Sequence, residues 1–205
     1  MAVVKSWFLV AISLLAGSAW ADARSDLSGL LGQHNHLTAR FEQEIRGERD
    51  ELLERSTGTV ALQRPLFRWE IELPYPQTLV ADGNQLQIYD PDLEQLTVRE
   101  MDAALDHTPL AVLTRHDVVL AESYDVEQLQ TDNEIQRFAL RPRADDALFA
   151  EVHLDFSEGV LSQLLIRDHL GQETRIRFEE VRLDAVLQSG DFELDVPPDT
   201  DVIDG

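Results

Sequence analysis

Phe67-Arg68-Trp69-Glu70-Ile71-Glu72-Leu73 is the stretch that decides the class of fold. Its odd positions are all apolar and its even positions all charged. Successive side chains of a strand point to opposite sides, so this segment buries one face and wets the other. A helix cannot sort these residues, because a 3.6-residue period throws alternate positions to opposite sides of the cylinder.

The same rhythm extends in both directions. Upstream, Leu37, Ala39 and Phe41 alternate with polar residues, Ile45 keeps their parity, and Val60 and Leu62 follow. Downstream, Leu79-Val80, Asp82-Gly83-Asn84 and then Leu86 and Ile88 read as a hairpin with a glycine in its turn. Leu96 and Val98 continue the pattern, as do Phe138 and Leu140. Ala150, Val152, Leu154 and Phe156 alternate, turn at Ser157-Glu158-Gly159 and return from Leu161 to Ile166. Asp168-His169-Leu170-Gly171 is a further turn. Ile176 and Phe178 make another strand, and Phe192, Leu194 and Val196 close the series. About ten strands in an antiparallel meander are expected.

Two stretches depart from period two. Between Asp22 and Gly32, Leu27, Leu30 and Leu31 stand at i, i+3 and i+4, with His34 at i+7, which is one apolar stripe on a polar helix. Between Met101 and Tyr124, Met101 to Leu105 suggests a short helix and Thr108-Pro109 can start a second. Leu110, Val112 and Leu113 give that second helix an apolar side, and His116 to Leu120 suits a third helical turn. Strands with one apolar face need one cover, and these are the segments able to supply it. The expectation is a mainly β protein: a large curved antiparallel sheet with a few amphipathic helices over its concave face and an apolar hollow between them. A closed barrel with a packed interior has the same periodicity.

Composition narrows the function. The 205 residues contain 17 Lys+Arg against 39 Asp+Glu, a net charge of −22, and no cysteine. Disulfides, thiol catalysis and cysteine-based zinc sites are excluded. So acidic a chain does not bind nucleic acid, which requires a basic face, nor does it dock electrostatically on anionic lipid. Residues 1–21 read as a secretory signal: Lys5 supplies the positive start, Trp7 to Leu15 is an apolar run too short to span a bilayer, and Ala19-Trp20-Ala21 suits a signal peptidase. Cleavage before Asp22 leaves a single domain, residues 22–205, with 16 Arg, no Lys and 39 acids, a net charge of −23. Asp22 is not a cysteine, so no lipid is expected on the new terminus. A soluble periplasmic monomer follows.

Signatures of catalysis are weak. There is no Gly-x-Ser-x-Gly elbow and no His-Glu-x-x-His. His34 and His36 would share a strand face but have no third ligand. Glu179 and Glu180, as neighbours on a strand, point apart. Asp90 and Asp92 flank Pro91 and fit turn chemistry. Asp195 to Asp204 is a solvated acidic terminus before it is a calcium site. No catalytic residue, metal or cofactor is assigned, and no enzymatic activity is expected.

A set of segments in order resembles a known family. They include Phe41-Glu42-Gln43, Leu62-Gln63-Arg64-Pro65-Leu66-Phe67-Arg68-Trp69, Leu79-Val80-Ala81-Asp82-Gly83 and Tyr89-Asp90-Pro91-Asp92-Leu93-Glu94-Gln95. Thr108-Pro109, Phe138-Ala139-Leu140-Arg141-Pro142, Asp168 to Thr174 and Phe192 to Pro198 follow. Together, behind a signal peptide and without a lipobox cysteine, they resemble the periplasmic lipoprotein carriers of the LolA family. The missing cysteine separates the chain from the related receptor LolB. The resemblance implies an unclosed β-barrel with a helical lid over a hydrophobic cavity. It also implies a chaperone that takes lipoproteins from an inner-membrane ABC transporter, shields their acyl chains and passes them to LolB. Arg64 matches the family arginine that bonds to lid backbone in the closed form, so the resemblance makes it the lid latch.

Phe67 and Trp69 share a strand face and are the first candidates for the cavity wall, with plain packing of the sheet as the alternative. Leu86, Ile88, Leu110, Val112 and Leu113 come second. Burying acyl chain yields about 0.8 kcal/mol per CH₂, so a carrier that must release its cargo needs a lid that closes well over its own cavity. A lipid-binding sensor or regulator on the same half-barrel would use the same surfaces without shuttling.

Overall fold

The computed structural model describes residues 16–33, 35–100, 123–129, 134–145, 147–183 and 185–204. Its helix α1, Ala16–Gln33, is followed by β1 (His36–Arg46), β2 (Leu52–Gln63), β3 (Leu66–Leu73), β4 (Gln77–Ala81), β5 (Gln85–Asp90) and β6 (Gln95–Glu100). Then come β7 (Tyr124–Leu129), β8 (Ile135–Pro142), β9 (Phe149–Ser157), β10 (Val160–Asp168) and β11 (Glu173–Arg182), a 3₁₀ turn at Ser189–Phe192, and β12 (Asp201–Asp204). All twelve strands join one sheet in the order β12-β6-β5-β4-β3-β2-β1-β11-β10-β9-β8-β7. The two ends of that order do not meet, so the sheet is open and not a closed barrel. Every pairing is antiparallel except β12 on β6.

The alternation read from the sequence sets the faces. In β3, Phe67 and Trp69 are buried, while Arg68 and Glu70 on the other face remain partly accessible. The pattern lapses at Leu73, which is 64% exposed because β3 there runs past the core. The register pairs Val60 with Trp69 and Trp69 with Leu79, so one apolar row crosses three strands. Leu37, Phe41, Val60, Leu62, Phe138, Leu154 and Phe178 join the same cluster. Leu27 and Leu31 of α1 complete it from above, with Leu30 packed at its margin. The helix starts earlier than the expected Asp22 and runs across the expected cleavage position; the leucine stripe lies beyond that point.

At the centre, Phe41 stacks on Trp69 with ring centroids 3.9 Å apart, and Phe178 meets Trp69 edge-on at 6.4 Å. Gly58, opposite Phe41 in the register, makes this possible. A Cβ there would lie 2.8 Å from Phe41 Cζ and would collide with the Glu70 carbonyl oxygen. The β2–β3 register shifts at this point, bringing the two backbones together.

The outer face carries charge in rows. Glu42 takes Arg55 at 3.0 Å and Arg177 at 2.8 Å. Glu44 takes Arg46 at 3.1 Å, and this hydrogen bond holds its carboxyl below the ordinary carboxylate value despite the opposing effect of desolvation. Arg141 bridges Glu127 and Glu151 at 3.0 and 2.8 Å. Glu44 is buried, while pairs with exposed partners such as Arg55–Glu42 contribute little stability individually. Their consequence is polarity, which leaves the concave face as the apolar one.

Three sequence expectations are corrected. Among the described residues there are twelve strands, of which β7 and β12 go beyond the alternation read from the sequence. Residues 192–196 are not a strand. The chain from Leu183 leaves the sheet and crosses the outer face; Phe192 is buried there and Arg68 Nη1 donates to the Glu193 carbonyl at 3.1 Å. Pro197 and Pro198 cannot donate to a ladder, which keeps this stretch irregular. The acidic terminus is ordered at its end, because β12 pairs with β6 and the Asp201 amide donates to the Glu94 carbonyl at 2.8 Å. The helices expected between Met101 and Tyr124 lie almost wholly outside the described residues.

Replacing Gly58 by alanine is expected to destabilise the protein by about 1–3 kcal/mol, since β2 and β3 must separate to admit the methyl group. Thermal unfolding followed by circular dichroism should show a midpoint roughly 3–10 °C lower.

Candidate functional site

The hairpin turn between β2 and β3 consists of Arg64 and Pro65. It lies at the same end of the sheet as the start of β1, because His36 pairs with Gln63. The C-terminus of α1 therefore arrives beside Arg64. The last four carbonyls of a helix have no partner within it. Arg64 supplies one: its Nη1 donates to the Leu31 carbonyl at 2.9 Å and to Asn35 Oδ1 at 3.2 Å. The Arg64 amide also donates to the Asn35 carbonyl at 3.1 Å. A guanidinium offers rigid donors at every accessible pH, and its charge sits at the negative end of the helix dipole. Hydrogen bonds of this kind contribute roughly 1.5–3 kcal/mol each.

Directly behind Arg64, the apolar space left among the described residues of the concave face is about 10 Å³, room for about one water-sized sphere, so where the sequence led to an apolar hollow the helix and sheet here pack closely. Leu31 roofs it; Leu37, Val60, Leu62 and Phe67 form the floor, and Leu161 and Phe178 the far wall. On the other side of the helix, Leu30 sits beside Gly159 of the β9–β10 turn. The helix thus lies across the open side, fastened to the β2–β3 turn at one margin. The site is a covered apolar face with a polar latch at its edge. It offers burial and no reactive group.

Of the residues singled out from the sequence, Arg64 and Phe67 border this space. Trp69, 4% exposed, lies in the same cluster but one step further along β3, beneath the Phe41 ring. Leu86 is buried in the cluster and Ile88 is packed against it. Leu110, Val112 and Leu113 lie outside the described residues. Leu31, Leu37, Val60, Leu62, Leu161 and Phe178 also border the space; strand parity marks Leu37, Val60, Leu62 and Phe178 as inward, and the helical stripe marks Leu31. What the sequence lacks is the register that brings them to one spot. Among the carboxylates, Asp90 Oδ1 accepts the Asp92 and Leu93 amides at 3.1 Å, the turn role expected of it. Glu180 departs from simple alternation: its φ of 53° marks a bulge in β11.

A family model described as outer membrane lipoprotein carrier protein LolA matches residues 32–195. The chain belongs to the LolA family. An outer-membrane lipoprotein carrier protein of Pseudomonas aeruginosa is 35% identical over 99% of both chains. One from Hahella chejuensis is 38% identical over 95% of this chain and 93% of its own. Among solved structures, a LolA superfamily protein from Nitrosomonas europaea matches with a TM-score of 0.50 at 11% identity, covering 82% of this chain and 97% of that one, which is a likeness of fold. Membership places the protein among carriers, and the open sheet covered by α1 is the LolA-type half-barrel expected from the sequence. No helix among the described residues is long and apolar enough to cross a membrane.

Arg64→Leu should loosen the end of α1 while leaving the sheet intact. Hydrogen exchange at the amides of Leu30 to Gln33 is expected to rise about tenfold, the equivalent of one lost charged hydrogen bond. Exchange in β8 and β9, where Phe138 and Leu154 are fully buried, should not change.

Proposed function

We propose that this protein is an exported carrier that accepts lipoproteins from an inner-membrane ABC transporter, shelters their acyl chains against the concave face and delivers them to the outer-membrane receptor LolB. Residues 1–21 direct export, and residues 22–205 work as a single monomeric domain in the periplasm. No catalytic residue, metal or cofactor takes part. The observation that carries this reading is the bond from Arg64 to the Leu31 carbonyl at the margin of an otherwise apolar interior. It closes the helix over the face that would receive a lipid. Relatives of nearly the same length named as outer-membrane lipoprotein carriers support it.

The physics of release explains the latch. An acyl chain gains about 0.8 kcal/mol per buried CH₂, and several chains would be held too tightly to surrender. The wall residues already pack on one another and on Leu27 and Leu31, so cargo must first part α1 from the sheet and break the Arg64 bonds. Each bond lost is a discount on affinity, and a factor of ten for every 1.4 kcal/mol. Leu110, Val112 and Leu113 supply further apolar cover in this reading, and Phe67, Trp69, Leu86 and Ile88 the wall.

Native mass spectrometry of the protein purified from its periplasm should show one lipoprotein bound per chain. A free lipid in its place would favour a sensor, and no lipidic ligand at all would overturn the reading. In a purified transfer assay, Arg64→Leu should load lipoprotein normally and pass it to the receptor at least tenfold more slowly. An unchanged transfer rate would remove Arg64 from the mechanism.

A further inference from the structure

The sheet has two rims, and they differ. At the rim away from Arg64, five successive hairpin turns each carry an outward apolar side chain. Across the sheet these are Leu93 between β5 and β6, Leu73 and Tyr75 between β3 and β4, and Leu52 and Leu53 opening β2. Leu170 between β10 and β11 and Leu148 between β8 and β9 continue the series. Tyr75 is 73% exposed and Leu170 83%. The described turns of the opposite rim, Arg64–Pro65, Asp82–Asn84 and Glu158–Gly159, carry no large apolar side chain. Ile135, 41% exposed, stands nearest to them among the described residues.

These tips are displayed on fixed supports. Asp90 Oδ1 accepts the Leu93 amide at 3.1 Å, and Asp168 Oδ1 accepts the Leu170 amide at 2.8 Å. Tyr75 stands between Pro74 and Pro76, whose rings restrict the backbone on both sides. His169 Nε2 meets the Ala147 carbonyl at 2.9 Å, tying two of the turns together. An apolar fringe on rigid turns loses little entropy when it is covered, the property of a binding surface, and an exposed tyrosine is a frequent anchor in such contacts.

Charge identifies what covers it. Glu51 and Glu54 bracket Leu52-Leu53, Asp92 and Glu94 bracket Leu93, and Glu72 precedes Leu73. Carboxylates beside Leu52-Leu53, Leu73 and Leu93, three of the five turns, repel an anionic bilayer and equally repel the same rim of a second copy. We infer that this rim docks on a protein face that offers apolar recesses within a Lys/Arg surround. The donor or the receptor of the carried lipoprotein is the natural bearer of that face, and in this the inference rests on the carrier reading.

Two measurements test it. In the first, the variant Leu73→Ser/Tyr75→Ser/Leu93→Ser and the variant Asp92→Lys/Glu94→Lys are compared with the unaltered protein for binding to purified donor transporter and purified receptor at low and high salt. At least one partner should bind both variants tenfold or more weakly, and charge reversal should abolish the salt dependence. Thermal midpoints and lipoprotein occupancy in native mass spectrometry should stay unchanged. Binding of both partners within twofold of the unaltered protein overturns the inference. In the second, a photoreactive phenylalanine analogue replaces Tyr75 in cells, with Asn84 on the opposite rim as control. Adducts on a protein, at a segment rich in Lys or Arg, support the docking face even if native mass spectrometry has removed the carrier reading. Adducts to lipid, adducts to a second copy of this chain, or labelling no stronger than at Asn84 overturn it.

Discussion

Leu27 and Leu31 lie on the concave face of a sheet that never closes, and the remaining features depend on that contact. A closed barrel covers its interior with itself. An open sheet leaves its apolar row, from Ala39 through Val60 to Trp69 and Leu79, to be covered by something that is not a strand. Among its described side chains, the helix that does so buries Ala23, Leu27 and Leu31, three small or medium apolar groups. Its hold on the sheet is therefore limited by area, and a polar bond at one end weighs heavily in the balance. That is why Arg64, a turn residue with no place in the core, is central to the site.

The two faces of the sheet divide the work. On the outer face, paired Arg and Glu rows stay wet and contribute modestly, and the segment after Leu183 crosses it with Phe192 buried and Arg68 holding the Glu193 carbonyl. The chain ends by adding β12 to β6, which covers that edge of the sheet with a short strand flanked by aspartates. Charge on an edge discourages pairing with other chains. For an open sheet this protection has the same importance as the cover on the concave side, because both unpaired edges and apolar faces invite association.

Family membership places the chain among lipoprotein carriers. Among the described residues that border the space under α1, the guanidinium of Arg64 is bonded to the Leu31 carbonyl and to Asn35 Oδ1, and the other side chains are apolar. Asp90 and Asp168 hold hairpin backbones, and Glu42 and Glu44 belong to arginine rows on the outer face.

Local pattern was enough to determine the inward and outward faces of β1 to β5 and β8 to β11, the leucine stripe of α1 and the turns at Asp82, Asp90 and Asp168, because alternation, helical spacing and Asp side-chain turns are properties of a few neighbouring residues. The resemblance also marked Arg64 as a residue of interest. Local pattern did not determine what Arg64 bonds to, since Leu31 stands 33 residues away. Nor did it reveal that Gly58 must be bare, that residues 192–196 lie on the sheet and not in it, or that five turns present their apolar tips at one rim. Each of these depends on register and strand order, which are set by contacts between distant segments. A residue's neighbours in sequence say which way it points; only the assembled sheet says what it meets there.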